Sequence, residues 1–353
     1  MQLFLKNNRP LLYFFSLITW VLSSCIDSPE PLREIKEPAG KIEVALGENY
    51  RQKVYFNLET KTSVKTVSPH GWDLAFECGP NKYGILLNYA NGTPFGYVVK
   101  DQNFDAVNSA SLANLPKIYD GNTGEIANTV VGIWGKIEIG QQPESYKITY
   151  VIDRGIDGNT GEPLGTKKFQ ITQFSLDSNT YFIKYANLDN SDYREATIKK
   201  DPLYNFVYFS FLQHTIVDQE PPKTNWDLVF TKYSTRVDNL IQYSVVGVLN
   251  NPSMNLSVAV DSNNLNFNSS FSSDFLANLK FNTNQDAIGY SWKTYPYTSN
   301  PTAGTYKIET SRMYFIKKNN TQLYKLKFYE YYKTIGTRQV SGYPTFLLEN
   351  ITL

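Results

Sequence analysis

Side chains able to do chemistry are sparse in this chain of 353 residues, which has only two histidines, two cysteines and three methionines. His70 lies in Ser68-Pro69-His70-Gly71, a turn motif that places it in a solvated loop. His214 closes the alternating segment Val207 to His214 and reads as a structural histidine. The acidic residues are scattered rather than paired. No Gly-x-Ser-x-Gly elbow, Walker loop, Gly-x-Gly-x-x-Gly turn or His-Glu-x-x-His helix is present. The expectation is therefore a protein without catalysis. An identical hexapeptide, Asp-Gly-Asn-Thr-Gly-Glu, occurs at Asp120 to Glu125 and at Asp157 to Glu162. Its oxygens suggest calcium, but the acidic spacing of a calcium loop is missing. Asp-Gly and Asn-x-Gly are also what tight turns need, and that reading is preferred.

The other reactive position is Cys25. Lys6 and Arg9 precede the apolar run Leu11 to Leu22, which leads into Leu22-Ser23-Ser24-Cys25. Twelve apolar-run residues are too few for a spanning helix, which needs about 20. The pattern is that of a lipoprotein signal peptide over residues 1–24, with Cys25 carrying the lipid. More than one acyl chain would hold the protein at a membrane. A flexible tether is assigned to residues 25–50, where Ile26 to Gly40 is rich in acidic residues and proline. Cleavage removes Lys6 and Arg9 and leaves 32 basic and 33 acidic residues, a balance with no footprint for nucleic acid. With Cys25 lipidated, only Cys78 remains as a thiol. An internal disulfide and a four-thiolate metal site are thereby excluded.

These residues must be positioned by β-structure. Trp72, Leu74 and Phe76 alternate with Asp73 and Ala75, and Leu323 to Tyr329 alternates in the same way, at the period of two that a half-buried strand requires. The chain carries 26 tyrosines and 21 phenylalanines, which suit pleated surfaces. One short helix is expected at Ser273 to Leu279. The chain is also internally duplicated. Val54-Tyr55-Phe56 is followed after 18 residues by Trp72-Asp73-Leu74-Ala75-Phe76, and Val207-Tyr208-Phe209 after 19 residues by Trp226-Asp227-Leu228-Val229-Phe230. Each copy continues with Gly132 and Trp134 or Gly289 and Trp292, then with Tyr-Lys-Ile at Tyr146 or Tyr306. A repeat of about 150 residues is the size of one domain. The expectation is an all-β chain of two tandem antiparallel modules, 51–201 and 202–353.

The back module resembles the HmuY haem-binding lipoproteins of Bacteroidetes. The resemblance rests on Val207-Tyr208-Phe209-Ser210-Phe211, then Asn225-Trp226-Asp227-Leu228-Val229-Phe230, Trp292, Tyr306-Lys307-Ile308 and the hairpin Tyr314 to Phe328, in that order. The front module reads as a more worn copy. The resemblance implies a lipid-anchored protein of the outer membrane, exposed at the cell surface, that captures haem and passes it to an outer-membrane transporter. Family members hold haem iron between two axial side chains, often histidines and in some relatives methionines. One of those positions follows the Trp before the Tyr-Lys-Ile strand, where this chain has Tyr297 or Tyr295 in place of histidine. Met254 is the nearest soft donor for the other position, and His214 is a further candidate. Tyrosinate and methionine both ligate haem iron. The rival reading is a glycan- or protein-binding surface lipoprotein that keeps the fold without iron ligation, which the abundance of Tyr and Asn supports.

A Cys25→Ala variant is predicted to accumulate as unlipidated precursor or as released soluble protein. Membrane fractionation identical to that of the unmodified chain would refute the lipoprotein reading.

Overall fold

A computed structural model describes residues 40–237, 241–295, 305–319 and 321–351. The signal peptide, Cys25 and Tyr297 lie outside the described residues. The front half contributes β1 (Ile42–Glu43), β2 (Lys53–Asn57), β3 (Thr62–Val67), β4 (Leu74–Glu77), β5 (Ile85–Leu87), β6 (Phe95–Val99), β7 (Gly135–Lys136), β8 (Glu144–Ser145), β9 (Thr149–Asp153), β10 (Thr166–Ser175) and β11 (Thr180–Ala186). Then come β12 (Arg194–Lys199), β13 (Phe206–Ser210), β14 (Thr215–Val217), β15 (Leu228–Val237), β16 (Ile241–Asn250), β17 (Leu256–Asp261), β18 (Lys293–Thr294), β19 (Lys307–Ile308), β20 (Met313–Lys318), β21 (Gln322–Ile335) and β22 (Arg338–Ile351). All strand pairs are antiparallel. The α-helix of the described residues, α1 (Ser273–Ala277), starts at the Ser272 cap and falls within the expected segment.

The two repeats fold alike, but they exchange strands. In sheet order, β6-β9-β10-β11 is completed by β12, and the matching β17-β20-β21-β22 is completed by β1. Four-stranded sheets β5-β4-β13-β14 and β16-β15-β2-β3 lie beneath them. Thus Val54-Tyr55-Phe56 of the front repeat pairs with Leu228 to Phe230 of the back repeat, and Val207-Tyr208-Phe209 pairs with Leu74 to Phe76. The registers are equivalent: Leu228 faces Phe56 as Leu74 faces Phe209. Alternation then decides which residues are buried where. Val54 and Phe56 point into one core with Leu228, Phe230, Trp292, Phe328 and Phe346, while Val207 and Phe209 join Leu74, Phe76, Trp134, Phe169 and Tyr181 in the other.

The cores therefore do not follow the linear halves. One body is continuous, from Trp72 to Val217; the other is assembled from residues 42–67 and 226–351. Residues 42–46, assigned to the tether from sequence, instead run along the sheet edge: β1 pairs with Phe346 and Thr345, and the buried Val44 and Leu46 donate their amides to the Pro344 and Gly342 carbonyls. Apolar side chains placed on the inward face outweigh the acidic composition of the segment that precedes them.

Each exchanged strand is fastened by the aspartate of its Trp-Asp-Leu phrase. The Asp227 amide donates to the Phe56 carbonyl (2.8 Å), and the Asp227 carboxylate accepts from the Leu58 amide (2.8 Å). The Asp73 amide donates to the Phe209 carbonyl (2.8 Å), and its carboxylate accepts from the Phe211 amide (2.6 Å). A cation completes each arrangement: Lys318 Nζ lies 2.8 Å from Asp227 Oδ1, and Arg154 Nε lies 2.7 Å from Asp73 Oδ1. Asn88 and Asn251 repeat a further detail. Each donates through its side-chain amide to the carbonyl of the Trp in its own repeat, Trp72 or Trp226.

The fragment 68–220 holds every strand of the continuous body and is predicted to unfold with its own cooperative thermal transition. The linear fragment 202–353 lacks β1 to β3 and is predicted to give none as a monomer. Calorimetry with the reverse result would overturn the exchange.

Candidate functional site

The hairpin β18–β19 is where the resemblance places an iron ligand, and it sits at one end of the back core. Trp292 precedes it, is 1% exposed, stacks on Phe328 at 4.3 Å and donates through its indole N–H to the Gly289 carbonyl (3.2 Å). Gly289 is required there. Its φ is +60°, and a Cβ would lie 2.8 Å from the Asp286 carbonyl oxygen.

Lys293 follows and is buried. Its ammonium donates to the Val246 carbonyl and lies over three rings, Trp292 at 4.4 Å, Tyr331 at 5.1 Å and Tyr306 at 5.3 Å. Desolvation pulls its pKa down to about 7. More phenols continue outward. Tyr306 packs against Tyr295 and Tyr331, and Tyr50 stacks on Tyr331. The Tyr332 hydroxyl accepts from the Tyr306 amide (2.7 Å). Tyr295 is 40% and Tyr243 54% exposed, so the cluster ends in phenol rings open to solvent. Burial raises the pKa of Tyr306, Tyr331 and Tyr332, with neighbouring phenols adding to it. A metal taking one of these as phenolate would have to displace a firmly held proton.

The donors expected from sequence are dispersed. Met254 is half-buried in the turn after β16, packed on the back core, and its amide donates to the Asn251 carbonyl. His214 is in the tight turn between β13 and β14, with φ +57°, and its Nδ1 is 3.0 Å from the Tyr185 hydroxyl, against the front core. Met254 and His214 are thus held on different cores and form no pair. Tyr297 lies outside the described residues, two positions beyond Tyr295. His70, expected in solvent, is instead 6% exposed, with Nδ1 2.8 Å from Asn91 Oδ1 and Gly158 packed on its ring. The residues that bury it come from remote loops. Burial lowers its pKa.

The repeated hexapeptides do two different things. Asp157 caps a surface turn, accepting from the amides of Asn159 and Thr160. Asp120 is buried and accepts from the amides of Leu87 and Val130, both at 2.7 Å, while desolvation raises its pKa to about 6. Among the described residues, no three His, Cys, Asp or Glu side chains gather as a metal site.

The front repeat has the same hairpin, β7–β8, without its chemistry. Gly135 stands after Trp134 where Lys293 follows Trp292, and the connecting residues 137–143 include no His, Met, Cys or Tyr. Tyr146, the counterpart of Tyr306, is 57% exposed. Only the back hairpin is built as a tyrosine cluster. Sequence reading found Trp292, Tyr295 and Tyr306 but missed Lys293, because its burial depends on rings from β21.

Lys293→Met is predicted to raise stability at pH 6, since it replaces a desolvated amine with an apolar chain of similar length. A lysine whose folded pKa is lowered binds fewer protons folded than unfolded, so its penalty is complete below about pH 7 and fades toward pH 10.5. The gain at pH 6 should be about 1–4 kcal/mol by urea unfolding, and smaller at pH 9. An equal gain at both pH values would contradict the burial of this amine.

Residues 203–347 match the HmuY protein family. No curated protein matches the chain. Among solved structures, a crystal structure of a candidate lipoprotein from Bacteroides fragilis NCTC 9343 has 12% identity and a TM-score of 0.21, over 50% of this chain and 91% of that one. The family match begins three residues before β13 and ends inside β22, so it spans strands of both cores and includes Trp292, Lys293 and Tyr306. On that match, it is the back repeat of the chain, over residues 203–347, that is HmuY-like.

Proposed function

We propose that this is a lipid-anchored surface protein that captures haem on the tyrosine cluster of the back hairpin, without catalysis, for delivery to a transporter in the outer membrane. The observation carrying this reading is the concentration of phenols around Lys293 in the one hairpin where the family resemblance expects an iron ligand. Flat aromatic faces at Tyr243 and Tyr295 suit a planar macrocycle. Oxygen donors suit ferric iron, and tyrosinate is a known axial ligand of haem. Tyr297 would supply the phenolate, with the rings of Tyr295 and Tyr306 beside the macrocycle. Bound haem would bring an iron centre held for transfer rather than for turnover. His214 is less suited, because its ring is engaged by Tyr185 on the front core.

The rival reading, a glycan- or protein-binding surface lipoprotein, draws on the same exposed tyrosines, because phenol faces also stack on sugar rings.

Haemin titration of the whole mature chain separates the two. The fragment 202–353 is unsuitable, since its core needs β1 and β2. A saturable absorption change is predicted, with Tyr297→Phe altering the spectrum and weakening binding roughly tenfold or more, as loss of a charge-bearing ligand should by about 1.4 kcal/mol or more. No saturable change, or one indifferent to Tyr297, Tyr306, Met254 and His214 together, would turn the assignment to the glycan- or protein-binding reading.

A further inference from the structure

The outer faces of the two four-stranded sheets line a partly open cavity of about 140 Å³, where the exchanged strands cross. The duplication furnishes its walls twice. Tyr55 packs edge-on against Trp226 at 4.8 Å, and Tyr208 packs edge-on against Trp72 at 4.9 Å. Four charged side chains line it, Lys53, Glu220, Asp120 and Lys232, and the first two break the symmetry of the aromatic walls. Lys53 stands where the other repeat has Phe206, and Glu220 has no acidic counterpart in β3. Both are almost fully buried, at 7% and 2% exposure. Placing charges in an aromatic box is costly unless they are matched.

Glu220 is matched within the protein. Its carboxylate accepts from the Asn205 amide (3.2 Å), Asn205 Nδ2 (2.7 Å) and the Phe206 amide (3.1 Å). Lys53 is matched less completely. Its ammonium lies 4.7 to 5.8 Å from the ring centres of Tyr208, Tyr55 and Trp72 and feels the Glu220 charge. The indoles add two more donors. Trp72 Nε1 and Trp226 Nε1 are buried and have no acceptor, whereas Trp134 donates to the Tyr83 carbonyl and Trp292 to the Gly289 carbonyl. Buried donors ordinarily find acceptors. The four described tryptophans thus divide in two, and the pair lacking acceptors is the pair lining this cavity.

The geometry points to a binding site for a small carboxylate at the crossover, its oxygens accepting from Lys53 Nζ and the two indole N–H groups and its apolar part lying against Tyr55 and Tyr208. The site is separate from the haem reading: it lies between the two bodies, and Lys293 and the back hairpin take no part in it.

The test is titration of the whole mature chain with sodium acetate and with sodium benzoate, followed by calorimetry and by the indole N–H resonances. Saturable one-to-one binding of either is expected, with the Trp72 and Trp226 resonances moving and those of Trp134 and Trp292 fixed. Lys53→Met should weaken binding at least tenfold. Trp226→Phe, which keeps a ring and removes one donor, should weaken it severalfold and provides a second arm should the lysine variant fail to fold. Sodium chloride giving the same shifts would replace the carboxylate with any small anion. No saturable binding, equal movement of all four resonances, or indifference to both substitutions would overturn the site.

Discussion

The fold depends on an aspartate that belongs to one repeat and closes a strand of the other. Asp227 and Asp73 each bind a backbone amide just past the end of the exchanged strand and are each neutralised by a cation of their own repeat, Lys318 or Arg154. Asp227 is fully buried, where an unpaired carboxylate would be prohibitive. The strand amide and the cation are therefore jointly required. Because Asp227 also donates its own amide to the Phe56 carbonyl, pairing of β2 with β15 and docking of the carboxylate are one event. The two aromatic cores can then form on one side of each small sheet, leaving the opposite sides to face each other.

Much of this was legible in the residues. Period-two alternation gave the strands, and recurrence of Val-Tyr-Phe and Trp-Asp-Leu gave the duplication. The same recurrence concealed the exchange. Each Val-Tyr-Phe strand meets equivalent partners in either repeat, at an equivalent register, so local pairing preferences do not choose between a repeat closed on itself and one closed on its neighbour. His70 was misread for a related reason: a Ser-Pro-His-Gly turn is ordinarily solvated, and only Asn91 and Gly158, far along the chain, make it interior.

The candidate site was legible in its hairpin and not in its electrostatics. Trp292 and the tyrosines near it announced an aromatic end to the back module. Lys293 looked like one surface lysine among many. It is buried because Tyr331 on β21 and Tyr306, just before β19, close over it, contacts that no local pattern encodes. The comparison between repeats is more informative than either alone. Where the front copy has Gly135 and an exposed Tyr146, the back copy has a desolvated amine and a packed Tyr306, so the duplicated hairpins have diverged in chemistry while keeping their pairing.

The continuous body is inserted within the other, and this sets an order of events as the chain emerges from the amino end. Residues 42–67 leave first, yet their partners come last; Lys41 and Glu330, which form an ion pair, are 289 positions apart. The inner body has all its strands once Val217 has passed, and local closure is cheap for it relative to the outer one. For most of synthesis, β1 and the β2–β3 hairpin therefore lack their sheet partners and keep an exposed edge, beside a neighbour whose small sheet accepts the same Val-Tyr-Phe sequence. The completed arrangement requires β13 to reach β4 and displace that competitor. A chain halted before residue 226 holds every strand of the inner body and none of β15 to β22, so its first hairpin is left without the strand that completes its sheet.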